Sequence, residues 1–236
     1  MLSSPTVANP PDEFDLENVE GQLTQVVQLP NISWQTYKLM LADMGDHRST
    51  RIAYDHGTLT IKMPSKLHEI VNRLLARIMT TLTEELGLEV VSIGSTTLER
   101  SDLQKGAEPD TGLYIQNADQ LEGLNPDIPP NLPPDLVIEV DITSPSTRRM
   151  VICQALGVPE VWRYTKENGV TIYHLQTDGQ PGGYTEAANS QAVPRLSVDK
   201  LNQFLDQRRT QSENQTIRSV RSWVQSPEQS ADQSLD

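Results

Sequence analysis

Leu136-Val137-Ile138-Glu139-Val140-Asp141-Ile142 alternates so that Leu136, Ile138, Val140 and Ile142 share one face of a strand while Val137, Glu139 and Asp141 share the other. One face is wholly aliphatic, and the opposite face carries two acids two residues apart. Carboxylates on so apolar a strand are costly unless paired or bound to a cation. Three readings stand open: an arginine or backbone amides satisfy Glu139, the strand lies at an edge, or the acids hold a metal ion.

Upstream of this strand the chain reads as alternating elements. Ser33 caps a helix with Trp34, Tyr37, Leu41 and Met44 on one stripe and Gly45 at its end. Arg51 to Tyr54 and Thr58 to Met63 form a hairpin across Asp55-His56-Gly57. Ser65 caps a longer helix whose stripe of Val71, Leu74, Leu75, Ile78, Leu82 and Leu86 ends at Gly87. Leu88 to Ile93, Thr96 to Glu99 and Thr111 to Ile115 read as short strands, followed by a proline-rich loop from Pro126 to Pro134. Downstream, Ser146 to Leu156 reads as a short helix, Val158 to Tyr164 and Val170 to Leu175 as a strand pair, and Val198 to Leu205 as a closing helix. The sum is an α/β domain with a mixed β-sheet flanked by helices, over residues 29–208.

The ends differ in composition. Residues 1–28 hold three prolines and five acids with few aliphatics, which predicts a flexible acidic arm that is dispensable for folding. Residues 209–236 are rich in Gln and Ser, yet Ile217, Val220 and Trp223 recur at helical spacing, which predicts a short docking helix and then a tail dispensable from about 226. Nineteen basic against thirty-two acidic residues give a net charge of -13, so bulk electrostatics oppose binding to polyanions and any nucleic-acid site must be local. The single cysteine, Cys153, excludes an internal disulfide and a cysteine-rich zinc site. With no apolar run long enough to span a bilayer, the expectation is a cytoplasmic protein that does not enter a membrane.

A second acid joins the strand pair. In Gly106-Ala107-Glu108-Pro109-Asp110, Pro109 ends an extended segment and Asp110 precedes the strand that contains Leu113. It is either an ordinary turn acid or a strand-entry carboxylate facing Glu139, an arrangement suited to a hard divalent cation such as magnesium.

Four segments in order, Gly106-Ala107-Glu108-Pro109-Asp110, Pro134-Asp135-Leu136-Val137-Ile138-Glu139-Val140, Ser144-Pro145-Ser146 and Ala155-Leu156-Gly157-Val158-Pro159-Glu160-Val161-Trp162, resemble the Uma2 family in its cyanobacterial form. That family is similar to a branch of the PD-(D/E)xK restriction-endonuclease-like superfamily. The resemblance implies a restriction-endonuclease-like core, an Mg2+- or Mn2+-dependent endonuclease acting on DNA, and metal ligands at Asp110 and Glu139.

It also implies an acid on the first core helix and a lysine near the second ligand. Glu69 matches the acid, with His68 beside it. At about 100° per residue Glu69 points away from the apolar stripe while His68 borders it, so His68 is the better aimed inward. Where the lysine is due, this chain has Asp141, which can only support a ligand or a second ion. The positive charge implied for the next helix falls on Arg149, which clamps phosphate but does not accept a proton as a lysine does. Cys153 is expected to line the core, and Trp162 to Tyr164 to pack within a strand. The missing lysine and the charge of -13 keep two other readings open: a noncatalytic nucleic-acid or protein-binding module, and a homodimeric interaction protein.

Overall fold

The computed structural model describes residues 25–45, 49–142, 146–176 and 182–226. Two sheets divide the described strands. β1 (Gln25–Leu29), β2 (Arg51–Asp55), β3 (Thr58–Met63), β5 (Leu98–Arg100) and β6 (Lys105–Ala107) form an antiparallel sheet in the order β1-β3-β2-β6-β5. The second sheet contains β4 (Val91–Gly94), β7 (Thr111–Tyr114), β8 (Leu136–Asp141), β9 (Glu160–Thr165), β10 (Gly169–Leu175) and β11 (Tyr184–Ala187), in the order β11-β10-β9-β8-β7-β4. Its one parallel pair is β8 with β9, and α3 (Thr147–Leu156) supplies the crossover that a parallel pair requires. This is the mixed α/β architecture expected from the sequence.

The long helix forms as its caps dictate. α2 (Lys66–Leu86) begins where the Ser65 hydroxyl accepts from the His68 amide and ends where Gly87 turns left-handed, with φ 66°. Its stripe of Val71, Leu74, Leu75, Ile78 and Leu82 is buried against Leu136, Ile138, Val140 and Ile142 of the strand segment that the alternation singled out. β8 lies between β7 and β9, so the edge-strand reading of Glu139 is excluded. α1 (Trp34–Met44) packs a smaller core in which Tyr37 stacks on Tyr54 with ring centres 4.9 Å apart.

Both termini of the domain extend beyond the expected boundaries. Residues 25–28, assigned by composition to the arm, belong to β1, which pairs with β3 from Gln25↔Met63 to Leu29↔Leu59. The expected docking helix is α5 (Glu213–Val224), held at its start by a Ser212/Gln215 capping box. It is part of the main core: Ile217 and Val220 are buried, and Trp223 meets Phe204 of α4 (Val198–Gln207) edge-on. The rest of the arm, Ser144 and Pro145 of the third motif, and residues 227–236 lie outside the described residues.

Because α5 buries its stripe against α2, Ile217→Ala is expected to destabilise the protein by about 2–4 kcal/mol in chemical denaturation. A loss within about 0.5 kcal/mol, the range of surface substitutions, would show that the helix is not docked in solution.

Candidate active site

Register places the two key carboxylates together. β7 pairs with β8 through Thr111↔Ile138, so the next residues along the ladder, Asp110 and Glu139, are neighbours. The Asp110 side chain is 0% exposed, and its Oδ2 accepts from the Val140 amide at 2.8 Å, from His68 Nε2 at 2.8 Å and from Lys62 Nζ at 3.2 Å. With a carboxylate as acceptor, His68 carries its proton on Nε2. Burial alone would raise the Asp110 pKa, but Lys62, Arg149 and His68 together hold it well below the usual carboxylate range.

Lys62 was not among the residues singled out from the sequence. It comes from β3, on the other sheet, and only 4% of its side chain is exposed. Besides Asp110, its ammonium donates to the Val140 carbonyl at 3.0 Å. Burial, reinforced by Arg149, lowers its pKa against the pull of Asp110, Glu139 and Asp141. The site therefore does hold a lysine, delivered by the hairpin and not by the strand or helix where the family pattern placed it. The only sequence signal was that Lys62 is the one charged residue in Thr58–Met63.

Glu139 is fully buried, and its counter-charge is Arg149 of α3. Arg149 Nη2 lies 2.5 Å from Glu139 Oε2, 3.9 Å from Asp110 Oδ2 and 3.9 Å from Asp141 Oδ1. The Glu139 contact is an ion pair without hydrogen-bond alignment, since neither Glu139 oxygen has a hydrogen-bond partner. Burial pushes the Glu139 carboxyl up to about 8, with Asp110 and Asp141 reinforcing the shift and Arg149 and Lys62 opposing it. Burial also works against the Arg149 charge, but the three acids more than offset it.

Asp141 ties β8 to α3. Its Oδ2 accepts from the Ser146 amide at 2.7 Å, the Ser146 hydroxyl at 2.9 Å and Arg163 Nε at 2.7 Å. These bonds fix the start of the helix that carries Arg149. Glu69 and His68 divide as helical geometry suggested: His68 is buried, while Glu69 is 37% exposed, 3.7 Å from Arg51 and 3.5 Å from His68 Nδ1. Cys153 is buried, and burial pushes its thiol pKa up, which suits a core residue and not a nucleophile. Trp162 is buried and donates to Glu160 at 2.5 Å.

The donor set suits a hard cation. Asp110 Oδ1, Glu139 Oε1 and Asp141 Oδ1 are buried carboxylate oxygens without hydrogen-bond partners. Among the described residues, however, no three His, Cys, Asp or Glu side chains are disposed to enclose an ion. The positive charge between these acids is the Arg149 guanidinium.

Next to the acids' counter-charges, a cavity of about 260 Å³ is lined by Arg51, Lys62, Arg148, Arg149 and Ser146, with Val26 and Gln28 of β1 at its side. A larger cavity, about 600 Å³, lies between α2 and the β9–β10 turn and contains none of the candidate site residues.

The family model described as "Uma2: Putative restriction endonuclease" matches residues 34–207, most of the chain and all of the cluster. The chain belongs to the Uma2 family. Membership agrees with the four motifs and assigns this Uma2 protein to a family of nuclease description. Among solved structures it is similar to one titled "a putative nuclease belonging to DUF820 from Anabaena variabilis", with 17% identity, 72% of this chain and 97% of that chain covered, and a TM-score of 0.48. No curated protein matches the chain. Among the described residues, no helix is long and apolar enough to cross a membrane.

Proposed function

We propose that this Uma2 protein is a divalent-metal-dependent endonuclease that hydrolyses phosphodiester bonds in DNA. The observation that carries the reading is Lys62: a buried ammonium 3.2 Å from Asp110, in a cluster with Glu139 and Arg149, beside a cavity lined by cations. Asp110 and Glu139 would hold Mg2+ or Mn2+, which supplies Lewis-acid stabilisation of phosphoryl charge and a more acidic water.

The chain's own side chains do the rest. His68 and the Val140 amide orient Asp110. Lys62, with its lowered pKa, exchanges a proton with the attacking water. Arg149, positioned through the Asp141–Ser146 bonds, neutralises the charge that develops on the phosphoryl oxygens. Glu69 stands at the rim beside Arg51.

A second reading, a module that binds nucleic acid without cutting it, draws on Arg149 standing among the three acids. Titration calorimetry with Mn2+ and a plasmid-nicking assay separate the two. Metal binding and nicking that are both lost in Asp110→Asn support the endonuclease, whereas DNA binding with identical background nicking in parent and Asp110→Asn supports the module. The wider reading is a cytoplasmic homodimer, and sedimentation velocity measures its assembly state.

A further inference from the structure

The cavity next to the acids' counter-charges is cationic in a chain whose net charge is -13. Arg51, Lys62, Arg148 and Arg149 line it, and among the described residues no carboxylate does. Two buried guanidinium donors on this wall, Arg51 Nε and Arg149 Nε, have no acceptor. The Arg149 side chain is only 9% exposed, so its unused N–H is costly unless something anionic arrives. Arg51 has two weak partners, Glu69 at 3.7 Å and the Thr50 carbonyl at 3.5 Å, and exposed Arg148 makes no ion pair among the described residues. Unused Nε donors on two planar, multiply donating guanidiniums match the oxygens of a phosphate.

Size narrows the ligand. At about 260 Å³ the cavity lies just below the range, about 300–1,000 Å³, of pockets that enclose drug-sized molecules. It accommodates roughly one nucleotide unit and not the two strands of a helix. The acids are buried, and Lys62 and Arg149, which contact them, line this recess. A recess that holds one nucleotide unit suits a single strand or a nucleotide drawn out of the duplex.

We infer that the cavity is a nucleotide subsite that selects single-stranded nucleic acid over intact duplex, with Arg51 and Arg148 gripping a backbone phosphate of the strand. The inference rests on the endonuclease reading for its biological use, but not for its test.

The test is fluorescence anisotropy in EDTA, with labelled oligo(dT), oligo(U) and a blunt DNA duplex of the same length. Without divalent metal it reads binding alone. Either single strand is expected to bind at least tenfold more tightly than the duplex, the better of the two identifying the sugar. Arg148→Ala, at an exposed position that leaves the core intact, is expected to weaken single-strand binding several-fold and to flatten the salt slope by about 0.7, as loss of one phosphate contact requires. Arg51→Ala should act likewise. Duplex binding as tight as single-strand binding, or unchanged affinity and slope in both variants, overturns the subsite. Nicking of duplex by the parent alongside that result would leave the endonuclease standing. A single-strand preference without cleavage in Mg2+ or Mn2+ would uphold the subsite and remove the endonuclease.

Discussion

Lys62→Met is expected to slow strand cleavage by about 10²- to 10³-fold, the range seen when one preorganised electrostatic or proton-transfer group is removed from an active site. The substitution keeps the length of the stem and takes away the ammonium. Asp110 retains His68 Nε2 and the Val140 amide, so its orientation survives. Stability should fall by about 3–5 kcal/mol, because the buried Asp110 charge loses the cation that most offsets its burial, so rates are compared on protein shown to be folded. Lys62→Arg separates charge from proton exchange. It restores the cation but not an amine whose pKa burial lowers, so its rate should stay within about tenfold of the methionine variant. Full rescue by arginine would show that Lys62 acts through charge alone.

Above about pH 4, Glu139→Gln should change the pH dependence of stability more than any other single substitution in the cluster. A carboxyl raised to about 8 in the folded chain, against about 4.3 unfolded, binds more proton when folded across that interval. Ionising it opposes folding, so the parent should lose stability as pH rises from about 4 to 8, by on the order of 5 kcal/mol in all. Asp110 has the opposite sign: its pKa is lowered, so its contribution is present above about pH 4 and is lost on acidification below that. Glu139→Gln removes the first slope and keeps the second. The variant should match the parent near pH 4, melt higher at pH 8, and show no rise in Tm on adding Mn2+. A variant that melts lower than the parent at pH 8 would mean that Arg149 needs Glu139 as its structural counter-ion, and Glu139 would cease to be a metal-ligand candidate.

The legible parts of this protein are those whose signal is local. The alternation of Leu136 to Ile142 set the central strand, and the stripe from Val71 to Leu86 set the helix that covers it. Helical geometry separated buried His68 from rim-standing Glu69. Lys62 was illegible because its partners are distant: Asp110 is 48 residues away and Val140 is 78. A lysine in a hairpin strand ordinarily points to water, and only the apposition of two sheets buries this one. β1 was missed because all five of its residues are exposed, leaving pairing with β3 as its main support. Arg149 was implied by the family resemblance, but its position among three acids depends on the β8–α3–β9 crossover.

The most direct measurement is single-turnover cleavage of a 5′-labelled single strand in Mn2+ by parent, Lys62→Met and Asp110→Asn, purified side by side. Cleavage by the parent, slowed about 10²- to 10³-fold in Lys62→Met and abolished in Asp110→Asn, is the expected result. Equal rates in all three would place any observed cleavage outside this cluster and contradict the account.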